Sequence, residues 1–120
     1  MSSIDFFNNS GKAFGYIDQN NNFFTWSGKH VGFVKDDDLY QVNGRWVGFI
    51  KNGYIFDKSG SALLFSKGAT GGPLPPIPSI PSIKSIPSIP SINSIPEIAP
   101  VHPLASMSWS RSNPEAIFKA

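Results

Sequence analysis

Histidines and grouped carboxylates are the side chains of this sequence that could bind a metal ion or transfer a proton. His30 and His102 lie far apart in the chain, and their spacing does not make a set of zinc ligands. Asp36, Asp37 and Asp38 are consecutive, but a calcium site needs about six oxygen ligands in a defined loop with a glycine bend. We interpret the histidines as surface residues and the aspartates as a solvated connector.

Nucleophilic catalysis also lacks its usual residues. Serine is abundant, but no base and orienting residue accompany any serine at a recognisable spacing. The absence of cysteine excludes disulfides and thiolate metal ligands. We therefore expect no cofactor and no enzymatic activity, and a pocket holding paired carboxylates with a histidine would be needed to reverse that expectation.

Three basic residues recur at equivalent places, at Lys12, Lys29 and Arg45. In a closed structure they would form an incomplete cationic ring that could contact anionic head groups or phosphates. The alternative interpretation is that they only make the turns soluble. Ten basic and eight acidic residues give a net charge of +2, so no basic surface for nucleic acid is predicted.

The basic residues belong to a phrase that occurs four times, and its first glycines lie 17, 16 and 16 residues apart. These lead glycines are Gly11, Gly28, Gly44 and Gly60, and in the first three units a second glycine follows at Gly15, Gly32 and Gly48. One aromatic row lies four residues before the lead glycines, at Phe7, Phe24, Tyr40 and Phe56. Another lies five residues after them, at Tyr16, Phe33, Phe49 and Phe65.

Each unit is predicted to be a β-hairpin, because Ser-Gly or Asn-Gly between aromatic and β-branched runs suits a two-residue turn. Counting outward from such a turn places Phe7 opposite Phe14, and the same rule gives Phe24–Val31, Tyr40–Val47 and Phe56–Leu63. We expect these residues to share a core face with the second aromatic row. On the other face, Phe6, Phe23 and Leu39 are predicted opposite Gly15, Gly32 and Gly48, where bare backbone allows close approach. Which face lines the centre stays open.

Residues 1–68 are thus predicted to form an all-β domain of eight short strands. Closure into a shallow barrel with approximate four-fold symmetry removes exposed sheet edges, whereas the alternative, a row of hairpins, leaves them. The fourth unit has Ser61 in place of the cation and Leu64 in place of the second glycine, as expected of a terminal repeat. So small a domain needs additional burial from the rest of the chain or from a partner.

The recurring phrase, aromatic-x-x-x-Gly-Lys-x-Val-Gly-Phe-Ile, resembles the four-fold β-flower family of bacterial proteins over residues 4–66. The resemblance implies a shallow symmetric barrel of hairpin petals with an apolar centre. It also implies a loose structural analogy to lipid-associated barrels. It brings no catalytic residues, because none are established for the family.

Residues 69–104 form an arm in which an aliphatic residue recurs every third position from Ile77 to Leu104, in most cases with a proline two positions before it. A polyproline II helix has three residues per turn, so these side chains align along one edge. One interpretation is a semi-rigid spacer. The other is that the edge is buried, against the barrel, another copy of the chain or a separate protein, with Ile80, Ile83, Ile86 and Ile89 as candidate contacts.

Residues 105–120 are predicted to form an anchor segment with a short helix. Asn113 can cap it, Pro114 suits the first position and Glu115 suits the positive end of the helix dipole. The segment supplies three large apolar candidates for a contact, Trp109, Ile117 and Phe118. The alternative is a frayed terminus.

Two functions follow as expectations. The first is a non-catalytic interaction or assembly module, in which the barrel is a docking platform and the arm and tail engage a protein partner or a neighbouring subunit. The second is binding of a small amphiphile or lipid head group by the aromatic centre and the cationic turns. With no leader pattern and no apolar run long enough to span a membrane, we expect a cytoplasmic protein.

Overall fold

The computed structural model describes residues 3–118, which form a closed barrel of eight antiparallel strands followed by the arm and one short helix. Each strand pairs with the next in the chain, and the last pairs with the first. The predicted all-β barrel of four hairpins is confirmed. Its elements are β1 (Ile4–Phe7), β2 (Ala13–Ile17), β3 (Asn22–Thr25), β4 (His30–Lys35), β5 (Asp38–Gln41), β6 (Trp46–Lys51), β7 (Tyr54–Asp57), β8 (Ala62–Phe65) and α1 (Pro114–Ile117).

The lead glycines close the hairpins, but with a longer turn than the two-residue one predicted. At the first turn the Asn8 amide donates to the Lys12 carbonyl, and the Gly11 amide donates to the Asn8 carbonyl, both at 2.9 Å. Gly11 has a φ of +82°. This is a three-residue loop that ends in a left-handed residue, a conformation that glycine adopts without steric penalty. The same bonds recur at Gly28, Gly44 and Gly60.

A β-bulge follows each of these turns and corrects the predicted register. Phe7 pairs with Ala13, not Phe14, whereas Phe6 pairs with Gly15 as predicted. Phe14 is the extra residue of the bulge, so it turns to the opposite face from Phe7. The other predicted pairs of this kind are wrong for the same reason, since Phe24 pairs with His30, Tyr40 with Trp46 and Phe56 with Ala62.

The centre of the barrel is filled by the face that carries Phe6. One apolar cluster draws on all eight strands, and only the interior of a closed barrel can bring them together. Its first layer, Phe6, Phe23, Leu39 and Ile55, is at most 1% exposed. Its second layer consists of the bulged residues Phe14, Val31, Val47 and Leu63.

The two aromatic rows pack together on the outer face, where each ring of one row contacts a ring of the other across neighbouring hairpins. The ring centres are 5.2 to 5.6 Å apart in the four pairs, Tyr16–Phe24, Phe33–Tyr40, Phe49–Phe56 and Phe7–Phe65. Equivalent positions therefore have like surroundings, as the repeat predicts. Ala99, Ala105 and Trp109 cover part of this face from outside.

The second glycines allow neighbouring strands to approach closely. A Cβ added at Gly15 would lie 2.7 Å from the Phe23 ring and still nearer the Phe24 carbonyl oxygen. Leu64 occupies the equivalent place in β8, next to the closing seam, where β8 and β1 share the single aligned pair Phe7–Phe65. The looser seam explains why a large side chain is accepted there.

Candidate interaction surface

The arm runs around the outside of the barrel and is hydrogen-bonded to every hairpin. The carbonyl oxygens of the four lead glycines accept arm amides that lie nine residues apart, at distances of 2.8 to 2.9 Å. The donors, in chain order, are Ser79, Ser88, Glu97 and Ser106, and the acceptors are Gly11, Gly28, Gly44 and Gly60. Three turns of polyproline II helix therefore match one hairpin of the barrel.

The length of the arm fits this path. Residues 77–104 reach about 84 Å at about 3.1 Å per residue. That is close to three-quarters of the circumference of a molecule measuring 35 × 35 × 26 Å. The lead glycines must also leave room for the arm, because a Cβ at Gly11 would lie 2.7 Å from the carbonyl oxygen of Ile77. Their equivalents in the other repeats are as close to Ile86, Ile95 and Leu104.

Polar side chains of the arm also recur every nine residues and reach the barrel. Lys84, Asn93 and His102 contact residues that lie six positions before successive lead glycines. The distances from the side-chain nitrogen of the arm residue to Oδ1 of its partner are 2.7 Å for Lys84–Asp5, 3.5 Å for Asn93–Asn22 and 2.5 Å for His102–Asp38. In the fourth repeat the equivalent residue is Tyr54, whose hydroxyl donates to the carbonyl of Pro73 at the start of the arm. The three-residue period of the arm was found from the sequence, but this nine-residue period of its polar side chains was not.

Two of these side chains also pack on aromatic rings. The Lys84 ammonium lies 4.3 Å from the centre of the Tyr16 ring and 5.0 Å from that of Trp26. The His102 ring stacks on Phe49, with centres 4.4 Å apart. The arm is thus held by side chains as well as by its backbone. His102 is exposed, as its interpretation as a surface residue expects, and it also contacts the barrel.

His30 also takes part in the contact with the arm, and unlike His102 it is not a surface residue. It is buried, and its Nδ1 accepts the amide of Ser91 at 3.0 Å. Burial lowers the pKa of His30, while the backbone of Gly32 and the charge of Asp18 oppose the change. The neutral imidazole, which the acceptor role requires, is therefore favoured at neutral pH.

The aliphatic edge of the arm points away from the barrel. We call it the aliphatic ridge. Its side chains are between 90 and 98% exposed, so the interpretation that this edge is buried against its own barrel is wrong. The ridge comprises Leu74, Ile77, Ile80, Ile83, Ile86, Ile89, Ile92, Ile95, Ile98, Val101 and Leu104.

The tail packs on its own barrel, and all three of its predicted contact residues take part. Trp109 lies edge-on to Phe65 and Tyr54, with ring centres 5.9 and 6.3 Å away. Phe118 enters the interior cluster beside Phe23, with ring centres 5.0 Å apart, and Ile117 packs against the same cluster. The cap of α1 is as predicted, since the Asn113 side chain accepts the Glu115 amide.

Asp57 ties the tail to the fourth hairpin. Its carboxylate accepts hydrogen bonds from the hydroxyls of Ser110 and Ser59 and from the amides of Ser59 and Ser61. Burial alone would raise the pKa of Asp57, but these hydrogen bonds outweigh burial and lower it. The ionised form is therefore the one that holds the tail.

The lead turns surround one mouth of the barrel, and α1 crosses it with a cleft on either side. Lys12 and Lys29 line a cleft of about 450 Å³, and Arg45 lines one of about 420 Å³. The three predicted cations thus lie around one opening, without meeting at a single point.

Within residues 3–118, no group of three His, Asp or Glu side chains could hold a metal ion, Asp36, Asp37 and Asp38 included. Over the same residues, no helix has the length and apolar character that crossing a bilayer requires.

A family model described as "4-fold beta flower protein" matches residues 4–118. The match extends past the hairpin repeats and includes the arm and the tail, which in the structure wrap and close the same barrel. Neither the curated proteins nor the solved structures include a significant match. Because the family model covers nearly the whole sequence, the chain belongs to the 4-fold beta flower family.

Proposed function

We propose that the protein is a non-catalytic assembly module whose aliphatic ridge packs against the ridge of a second copy. The observation that carries this proposal is the exposure of eleven aliphatic side chains in one unbroken line. Exposed apolar patches on monomeric proteins rarely exceed a few hundred square ångströms, and larger ones mark interaction sites. Fully burying each such side chain is worth about 1.5–3 kcal/mol.

The period of the ridge supports a second copy as the occupant. Successive side chains lie about 9.3 Å apart along a polyproline II helix, which leaves a gap about as wide as one aliphatic side chain. A surface with the same spacing can fill the gaps along the stretch where the two outward-facing ridges touch, and another ridge has that spacing by construction. Two-fold symmetry would then pair the same surface on both subunits.

The charges of the arm are compatible with such a pairing. Between residues 74 and 104 the charged residues are Lys84 and Glu97. Lys84 is paired with Asp5, and Glu97 accepts the backbone amide of Trp46 at 2.8 Å. Both charges are therefore bound to their own barrel, and two ridges can meet without like charges between them.

The test is the mass of the full-length protein in solution, measured by light scattering over a range of concentrations. We expect a dimer, and a monomer when Ile83, Ile86 and Ile89 are all replaced by serine. A matched control replaces Ser82, Ser88 and Ser91 by alanine, because these side chains make no hydrogen bond within residues 3–118. This control should remain dimeric. A wild-type protein that stays monomeric, or a dimer that survives the isoleucine substitutions, would overturn the proposal.

A further inference from the structure

We infer that the barrel mouth binds a small amphiphilic carboxylate, an anionic head on an alkyl or aryl chain, and that the C-terminal tail occupies this site in its absence. The inference concerns the end of the barrel that α1 crosses. It is independent of the aliphatic ridge and of the assembly proposed above.

The interior of the barrel already accepts a side chain from outside its strands. Phe118 is buried against Phe23 and Phe14, with ring centres 5.0 and 6.0 Å away, and its ring edge lies close to the bare backbone of Gly32. Within residues 3–118, the members of the interior cluster that no strand supplies are Phe118 and the partly buried Ile117. The mouth is thus an apolar socket that is filled by side chains of the tail and not by those of a strand.

The segment that fills the socket has little stability of its own. The helix α1 has four residues, which is too short to persist without the surface on which it lies. The barrel holds its end by the Phe118 ring, by the partly buried Ile117 side chain and by a hydrogen bond from the Gln41 amide to the Ile117 carbonyl. A ligand that fills the same apolar space can therefore compete with the tail.

The charges around the socket indicate an anionic head group. Lys12 and Lys29 are exposed and line the first cleft, and within residues 3–118 neither forms an ion pair. Glu115 of the tail lines the same cleft. The tail therefore presents an aromatic group to the interior and a carboxylate to the cationic rim, which is the chemical pattern inferred for the ligand.

The size and lining of the cleft agree with this class of ligand. With the tail in place, the cleft beside it has a volume of about 450 Å³, which lies in the usual range for small-molecule sites. Phe14 and Val31 supply apolar walls beside the two lysines. A free phosphate would use the cations alone, and a neutral apolar molecule would use the walls alone, whereas an amphiphilic carboxylate uses both.

The experiment is calorimetric titration of the full-length protein with octanoate and, as the neutral counterpart, 1-octanol. We expect octanoate to bind about tenfold more tightly. The double variant Lys12→Ala, Lys29→Ala should lose this preference. The control Lys35→Ala, Lys51→Ala should keep it, because both residues end their strands at the opposite end of the barrel. Equal affinities for the two probes, or no binding of octanoate, would overturn the inference.

Displacement of the tail is tested on the wild-type protein, so that the result does not depend on a variant folding. Saturating octanoate should shift the NMR signals of the Phe118 ring and of Glu115 towards those of a free peptide. Phe118→Ala should also bind octanoate more tightly. Unchanged Phe118 signals would contradict displacement. Binding to phosphatidylserine vesicles without binding of monomeric octanoate would show a membrane surface as the target and would also overturn the inference.

Discussion

The Lys84 ammonium lies 2.7 Å from the Asp5 carboxylate and faces the ring of Tyr16, so one arm side chain contacts both strands of the first hairpin. Asn93 and His102 make the equivalent contacts to the second and third hairpins, nine and eighteen residues later. The arm therefore has one register on the barrel, and polar side chains at a nine-residue period specify it.

Lys84→Ala should destabilise the protein by about 1 kcal/mol, because a half-exposed ion pair and a cation–π contact each contribute up to about that amount. Chemical denaturation of the wild type and the variant measures the difference. Lys67→Ala is the control, since Lys67 is exposed and its side chain makes no ion pair or hydrogen bond within residues 3–118. Equal stabilities of the two variants would mean that Lys84 does not hold the arm.

Gly48→Ala should destabilise the protein by about 3 kcal/mol, because the new Cβ would collide with the Phe56 carbonyl of the neighbouring strand. Gly68→Ala is a matched control with open space around its Cβ, where the φ of +81° alone opposes the substitution. Its expected effect is about 1 kcal/mol. Thermal or chemical unfolding of both variants gives the comparison, and an effect at Gly48 no larger than at Gly68 would contradict close packing of β6 and β7.

Stability should fall between pH 7 and pH 5 through His30. Its pKa is lowered in the folded protein relative to 6.5, chiefly by burial, so the unfolded chain binds the proton first and acid favours unfolding. The contribution of neutral His30 to the free energy of unfolding is complete above about pH 6.5 and is lost as the pH falls below that value.

The variant His30→Gln should show a smaller loss of unfolding free energy over this range, because glutamine has no titrating group but can accept the Ser91 amide. Gln19→Asn, which changes an exposed side chain and leaves His30 in place, should retain the full loss. An unchanged pH dependence in His30→Gln would show that His30 is not the group that titrates.

Asp57→Asn should destabilise the protein at neutral pH by about 1–2 kcal/mol, since the charged acceptor of several hydrogen bonds is replaced by a neutral amide. The pKa of Asp57 is lowered, so its contribution is present above the usual value of 3.8 and is lost as the pH falls below it. Acid titration of stability should therefore be shallower in the variant. Asp36→Asn, whose aspartate makes no side-chain hydrogen bond within residues 3–118, should keep the wild-type stability at neutral pH.

The hairpins and their glycines could be predicted because the signals are local: a glycine at each turn and aromatic residues at fixed distances from it. The bulge at Phe14 could not be predicted from such local signals. A two-residue turn and a three-residue loop followed by a bulge give the same pairing of Phe6 with Gly15. They differ in the face of Phe14, and packing inside the closed barrel decides that face.

The direction of the ridge could not be predicted either. A three-residue period shows that the isoleucines share an edge, but it does not show where that edge points. The backbone decides this, because the serine and Glu97 amides donate to the barrel and so turn the isoleucines away from it. The nine-residue spacing of Lys84, Asn93 and His102 was visible in the sequence, but their partners lie far away in the chain and depend on the path of the arm.

Amide hydrogen exchange along the arm, followed by NMR on the full-length protein, tests the central claim most directly. We predict slow exchange at the amides that donate to the barrel, which are Ser79, Ser85, Ser88, Ser91, Ser94, Glu97 and Ser106. The amides of Ile80, Ile83 and Ile89, which donate no hydrogen bond within residues 3–118, should exchange rapidly. Uniformly rapid exchange over residues 77–106 would contradict an arm bound in register around the barrel.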